Sequence, residues 1–206
     1  MPITLTIDQR KSRSDDDLVE RWVTELNHEF AGRLLLPFVP TVGDELQALT
    51  DDASVAADLA LRASAEERWW IGVGVGSVEL PLGATAARSR GPAFYRARTA
   101  VNMAKSRPYG FAVVGAGDGL LQDAEAALNL VAFIIASRGT GERARKTWSA
   151  IELASSGCTH AEIGERLDIT RQAVAQRLRT AGFQEEMDGR VLAVNLLEQA
   201  RWAGDG

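Results

Sequence analysis

The chain has 206 residues, 46% of them hydrophobic and 25% charged, with a formal net charge of −5. This is a globular rather than a disordered composition, and its acidity excludes a surface coated in positive charge, so any nucleic-acid-binding surface must be local. With one cysteine, Cys158, and two histidines, His28 and His160, an intrachain disulfide and a Cys-rich zinc site are both excluded.

Ile3 to Ile7 alternates apolar and polar residues, which predicts a strand ending at Asp8. The opening stretch, MPITLTIDQRKSRSDDD, lacks the apolar core of a signal peptide. The longest strongly apolar run, Leu128 to Ala136, is shorter than the ~20 residues that span a bilayer. We therefore expect a cytoplasmic chain with no membrane partner. A polar turn, Gln9 to Asp17, precedes a helix over 18–30, marked by Leu18, Trp22, Leu26 and Phe30 at helical spacing. Leu34 to Val42 carries Pro37 and Pro40, as an edge strand does. The Val42-Gly43-Asp44 turn then leads into the alternating Glu45 to Leu49, and the two runs predict a β-hairpin.

Asp51 to Ala63 is Ala-rich and helical, with Asp or Ser as its N-cap. Arg68 to Val78, RWWIGVGVGSV, reads as a buried strand. Its glycines at 72, 74 and 76 are not followed by a helix start, so a dinucleotide-binding loop is rejected. Small residues there instead let a helix pack closely on the sheet. Trp69 and Trp70 alternate faces, one toward the core and one toward a cleft or interface. Gly83 to Gly91 is loop-like, Pro92 to Lys105 helical, Phe111 to Val114 a short strand and Gln122 to Ser137 a helix. Arg88, Arg90, Arg96 and Arg98 surround the Gly-Pro turn, either to meet phosphate or as a solvated loop.

The resulting order contains β-α-β-β-α-β, the arrangement of a ferredoxin-like sheet. The glycines of SRGTGER, Ser137 to Arg143, then break the pattern. The expected fold is α+β: a ferredoxin-like antiparallel sheet domain over 1–140, followed by a small all-α domain over 141–206.

In the second part, Thr147 to Ser155 is a helix with Gly157 at its C-terminal cap. Thr159-His-Ala-Glu162 has the form of a capping box. Ile163 and Leu167 are one turn apart, and Thr170 is placed to cap the next helix. There Val174, Leu178 and Ala181 form an apolar stripe, so Gln172, Gln176 and Arg179 point away from it, with Arg171 and Arg177 on the flanks. Gln can read adenine and Arg can pair with guanine or phosphate. From Arg143 to Phe183 there are seven Arg/Lys against four Asp/Glu, a locally positive segment on an acidic chain. Asp188 to Trp202 is one more helix, expected to give support or a dimer contact.

The stretch THAEIGERLDITRQAVAQRLRTAGF resembles the helix-turn-helix of bacterial regulators and sigma-factor-like domains. The resemblance implies binding to double-stranded DNA through Thr170, Arg171, Gln172, Gln176, Arg177 and Arg179, by a homodimer. A packing or dimerisation unit with a solvated Arg/Gln face is the plainer alternative.

TIDQRKSR, TVGDELQAL and RWWIGVGVGSVELPL…RGPAFYRARTAVNMAK follow one another in an order that resembles the SatD family, which carries a C-terminal helix-turn-helix. The same order is more distantly similar to the class III nucleotidyl cyclases. That likeness implies a metal pair held by Asp8 and Asp44, with Glu45 contributing charge, and Mg²⁺ with a nucleotide as cofactor and effector. It also implies nucleotide contacts from Asn102 and Lys105, although Ser106 stands where a cyclase has arginine. Asp8 and Asp44 could instead simply cap turns, which for a lone Asp is the commoner role. No nucleophile motif points to a hydrolase.

Three readings follow. The first is a sequence-specific DNA-binding transcriptional regulator whose N-terminal domain dimerises or senses a nucleotide. The second is a metal-dependent nucleotidyl cyclase or transferase localised by its helix-turn-helix. The third is a structural adaptor.

Overall fold

The computed structural model describes residues 1–10, 16–41, 43–116 and 118–203. Most of the expected turn Gln9 to Asp17, and Val42 of the hairpin turn, lie outside the described residues. The described residues form a mixed α+β structure with five strands in one sheet and eight α-helices.

The strands are β1 (Ile3–Gln9), β2 (Leu36–Pro40), β3 (Glu45–Thr50), β4 (Trp69–Val75) and β5 (Phe111–Val114), in the sheet order β2-β3-β1-β4-β5. β1 runs antiparallel to β3 and β4, β2 antiparallel to β3, and β5 parallel to β4. The Pro-bearing β2 lies at one edge, where a missing backbone donor costs no ladder bond. Side chains seal both edges. Asn27 exchanges two hydrogen bonds with the backbone of Phe38 on β2, at 2.8 and 2.9 Å. The Glu125 carboxylate accepts from Val113 N–H on β5 at 2.8 Å. Sealing of this kind blocks pairing with a foreign strand.

The two sheet faces differ in chemistry. Ile3, Leu5 and Ile7 alternate with Thr4, Thr6 and Asp8 along β1. The apolar face packs against α1 (Asp16–Glu29), α2 (Ala53–Glu66) and α4 (Asp118–Ser137) in one large core. Within it Trp69 is fully buried and stacks on Trp22 with ring centroids 4.1 Å apart. The polar face is covered by α3 (Pro92–Ala104). Gly72 and Gly74 make that approach possible. A Cβ at Gly72 would stand 2.3 Å from Ala97 O, and one at Gly74 2.2 Å from Ala93 O. The glycine-rich strand is thus a landing strip for a helix, as the alternation of small residues predicts.

Three helices then form a small unit: α5 (Glu142–Ser155), α6 (His160–Leu167) and α7 (Arg171–Thr180). Its own core is Ala150, Ile151, Ile163, Val174, Leu178 and Ala181. The last helix, α8 (Phe183–Trp202), does not stay with this unit. It runs along α4 and touches α2, and Ala193, Leu197 and Ala200 are buried in the sheet domain's core. The expected boundary near 140 falls between α4 and α5, but residues 141–206 are not one packing unit. The chain leaves the first core, builds the small unit and returns.

α4 extends well beyond the apolar run Leu128 to Ala136. Gly119–Ser137 has a mean hydropathy of 1.4, long and apolar enough by composition to cross a bilayer. One stripe of it, including Leu121, Leu128, Val131 and Ile135, belongs to the core, while Leu130 and Phe133 are exposed.

Candidate functional sites

The turn between α6 and α7 is fixed by local chemistry. Thr159 Oγ1 accepts from Glu162 N–H, and the Glu162 carboxylate accepts from Thr159 N–H at 2.7 Å, closing the capping box. These hydrogen bonds from the Thr159 backbone and hydroxyl hold the Glu162 carboxyl below its ordinary range. α6 ends at Asp168 in the left-handed region, φ 51°. The next turn passes so close that a Cβ on Gly164 would lie 2.7 Å from Ile169 O. Thr170 Oγ1 then accepts from Ala173 N–H at 3.1 Å and starts α7.

Val174 and Leu178 face the small core, and the opposite side of α7 is open. Thr170, Arg171, Gln172, Gln176 and Arg179 are exposed, and Arg177 is half-buried. Arg179 donates to Gln176 Oε1 at 3.0 Å, and Gln176 Nε2 donates to Thr180 at 3.2 Å. Arg177 donates to Lys146 O at 3.2 Å, which ties α7 to α5. Five of the six sequence-predicted residues therefore lie along one short helix, which the sixth, Thr170, caps, and Gln176 and Arg179 are ordered against one another.

The second candidate is the polar face of the sheet beside α3. The strand register places Asp8 directly opposite Glu45 on one side and Trp70 on the other. Asp8 Oδ2 is 2.5 Å from Lys105 Nζ. Glu45 is buried and accepts from Arg98 at 2.7 Å and from the Thr41 hydroxyl at 2.9 Å. Burial pushes its carboxyl above the ordinary range, opposed by the Thr41 hydrogen bond and the Arg98 charge. Trp70 lies between two cations, with Arg10 5.4 Å and Lys105 5.5 Å from its ring centre.

The structure thus joins Asp8 with Lys105, two residues assigned to different roles by their likeness to cyclases. Asp44 stands in the hairpin turn and is half-exposed, while the carboxylate facing Asp8 is Glu45. Asn102 is exposed on α3. Arg107 turns to the far edge of the sheet and pairs with Glu125 at 3.3 Å. Among the described residues no group of three or more His, Cys, Asp or Glu side chains is placed to hold a metal. The two facing carboxylates are each already paired with a cation, so a Mg²⁺ ion there would have to displace Lys105 from Asp8.

Sequence reasoning missed one cluster. Arg138, just after α4, is almost wholly buried, and its Nη2 sits 2.5 Å from Glu186 Oε2 on α8. Its Nε donates to Ala181 O at the end of α7, and its guanidinium lies 4.9 Å from the Trp148 ring on α5. Glu186 also pairs with Arg190 at 2.8 Å, and Arg190 reaches Asp58 on α2 at 3.3 Å. This chain of charges binds the three-helix unit to the sheet domain. Its one sequence signal is an arginine inside a glycine-bearing connection, which reads as a boundary.

The fold, the paired carboxylates and the small helical unit belong to a two-part α+β chain. The SatD family profile matches residues 5–197, nearly the whole length, and the chain belongs to the SatD family. No curated protein and no solved structure matches it.

Proposed function

We propose that this protein is a sequence-specific DNA-binding regulator in which α6 and α7 form a helix-turn-helix and α7 enters the major groove. The observation that carries the reading is the open side of α7. Gln172, Gln176 and Arg179 share it, on a capped helix whose other side is held by Val174 and Leu178. In such motifs phosphate contacts set register and base contacts set specificity. Gln172 and Arg179 are assigned to bases, and Thr170, Arg171 and Arg177 to the flanking backbone. A homodimer would place two such helices on successive half-sites.

The sheet domain is read as a ferredoxin-like core. The order β2-β3-β1-β4 with antiparallel neighbours supports this, with β5 added beside β4. In this reading it dimerises or senses a nucleotide in the cytoplasm. The alternative, a metal-dependent nucleotidyl transferase, has Asp8 and Glu45 in its favour and the Lys105–Asp8 ion pair against it.

DNA selected by the full chain from a random pool, then titrated against Gln172→Ala and Arg179→Ala, tests the assignment. Each substitution is expected to cost ~1–3 kcal/mol, confined to the base pair it reads. Unchanged affinity in both variants removes α7 as the reading helix. Incubation with nucleoside triphosphates and Mg²⁺ separates the alternative, because turnover that disappears in Asp8→Ala would favour the enzyme.

A further inference from the structure

A cleft of about 610 Å³ opens between the α4–α5 connection, α5 and α7. Its cations are Arg138, Arg143, Lys146 and Arg177, and its hydroxyls include Thr140 and Thr147. Two acidic groups stand nearby. Glu142 is taken up by Lys146 at 2.9 Å, and Glu186 by Arg138 and Arg190. The cleft therefore keeps an excess of positive charge on an acidic chain. No aromatic ring lines it among the described residues, so it offers no ring for a base to stack on.

Two features border the same space. α5 is 14 residues long and starts there, capped only by Gly141, which has no side chain to accept from its first-turn amides. The first helical hydrogen bond runs from Arg145 N–H to Gly141 O, so the amides before it point outward with the positive end of the helix. The second feature is Arg138. Its side chain is 1% exposed, yet its Nη1 makes no hydrogen bond within the protein. A buried guanidinium N–H without a partner is costly, and such groups are normally satisfied. Arg143 is exposed and has no acidic partner among the described residues. Free helix amides, a cluster of four cations and an arginine without an acidic partner give the cleft the donors that an anion needs.

We propose that this cleft binds phosphate, supplied either by the DNA backbone beside α7 or by a small polyphosphate. Gln176 and Arg177 line the cleft and also belong to the assigned DNA face, so this rests in part on the DNA-binding reading. A small anion seated here would compete with DNA for both residues.

The test uses the full chain and its Arg143→Gln variant, which alters an exposed side chain and leaves Arg138 in place. Pyrophosphate is titrated calorimetrically, and DNA affinity is measured against salt. Saturable pyrophosphate binding that weakens roughly tenfold in the variant assigns the site to a small anion. No pyrophosphate binding, but a DNA salt slope reduced by about one with sequence preference intact, assigns it to a backbone phosphate. The absence of both effects overturns the proposal. Gln172→Ala, outside the cleft, separates the two readings: it should weaken DNA binding and leave pyrophosphate untouched. If the chain binds no DNA, the DNA reading fails and the pyrophosphate result alone decides the cleft.

Discussion

Glu45 shows how much a single residue can owe to the element that covers it. In sequence it stands beside Asp44 at the start of a hairpin strand, and nothing local says that it is buried. Burial follows from α3 landing on the glycines of β4, with Arg98 delivered from that helix. Because its carboxyl titrates above the ordinary range when folded, the neutral form is the one the fold prefers. Its stabilising contribution is therefore present below the unfolded value of ~4.3 and is lost as pH rises through the folded value. Glu45→Gln is neutral throughout. The melting temperature of the variant should rise relative to wild type as pH increases from about 4 to about 7. A difference that stays flat across that range would mean that the Arg98 and Thr41 contacts fully offset the burial. Asp8, by contrast, was legible as a chemical residue, yet its partner was not. The register that sets Glu45 opposite it, and the helix phase that brings Lys105 onto it, are both tertiary facts.

At the scale of elements, the contact of α3 with β4 is the tightest in the molecule's polar layer, and it makes a sharp expectation. Gly74→Ala puts a methyl 2.2 Å from Ala93 O and 2.3 Å from Ala97 N, both backbone atoms that cannot swing aside. Overpacking of this kind should cost ~1–3 kcal/mol, measured by urea unfolding. Gly119→Ala on α4 meets open space and should be neutral or stabilising by up to ~1 kcal/mol. Equal effects at the two positions would show that α3 yields easily. The strands, α3 and the capped α6 and α7 were legible because period, punctuation and caps are local signals. α8 was legible as a helix but not as part of the first core. Its apolar residues do not form one stripe: Leu197 is buried, whereas Val191 and Leu192 are more than half exposed. The partner that selects Ala193, Leu197 and Ala200 is α4, some sixty residues earlier, and no local pattern names it.

For the whole molecule, the return of α8 decides how the two parts behave together. The Met1 ammonium donates to Arg201 O at 2.9 Å, and Arg201 Nε donates back to Met1 O at 2.6 Å, so the end of α8 is tied to the strand that opens the sheet. The start of α8 is tied through Glu186 to Arg138 at the end of α4, and Arg138 in turn holds the three-helix unit through Ala181 O and the Trp148 ring. Unfolding of the unit alone would take the Ala181 acceptor and the Trp148 ring away from Arg138 and uncover the buried Arg138–Glu186 pair. Leaving a buried guanidinium donor without its acceptor costs ~1–3 kcal/mol, which favours one cooperative transition over two. In urea, near-ultraviolet circular dichroism of a Trp148→Phe chain, whose remaining tryptophans, the stacked Trp22–Trp69 pair among them, lie outside the three-helix unit, should therefore share one midpoint with the far-ultraviolet signal, to which every helix contributes. Glu186→Leu should lower that midpoint and let the far-ultraviolet loss begin before the tryptophan signal changes, as α5 to α7 loosen first. Separate transitions already present in the wild-type chain would show that α8 does not couple the two parts. A ligand in the sheet domain would then have no rigid path by which to move α7.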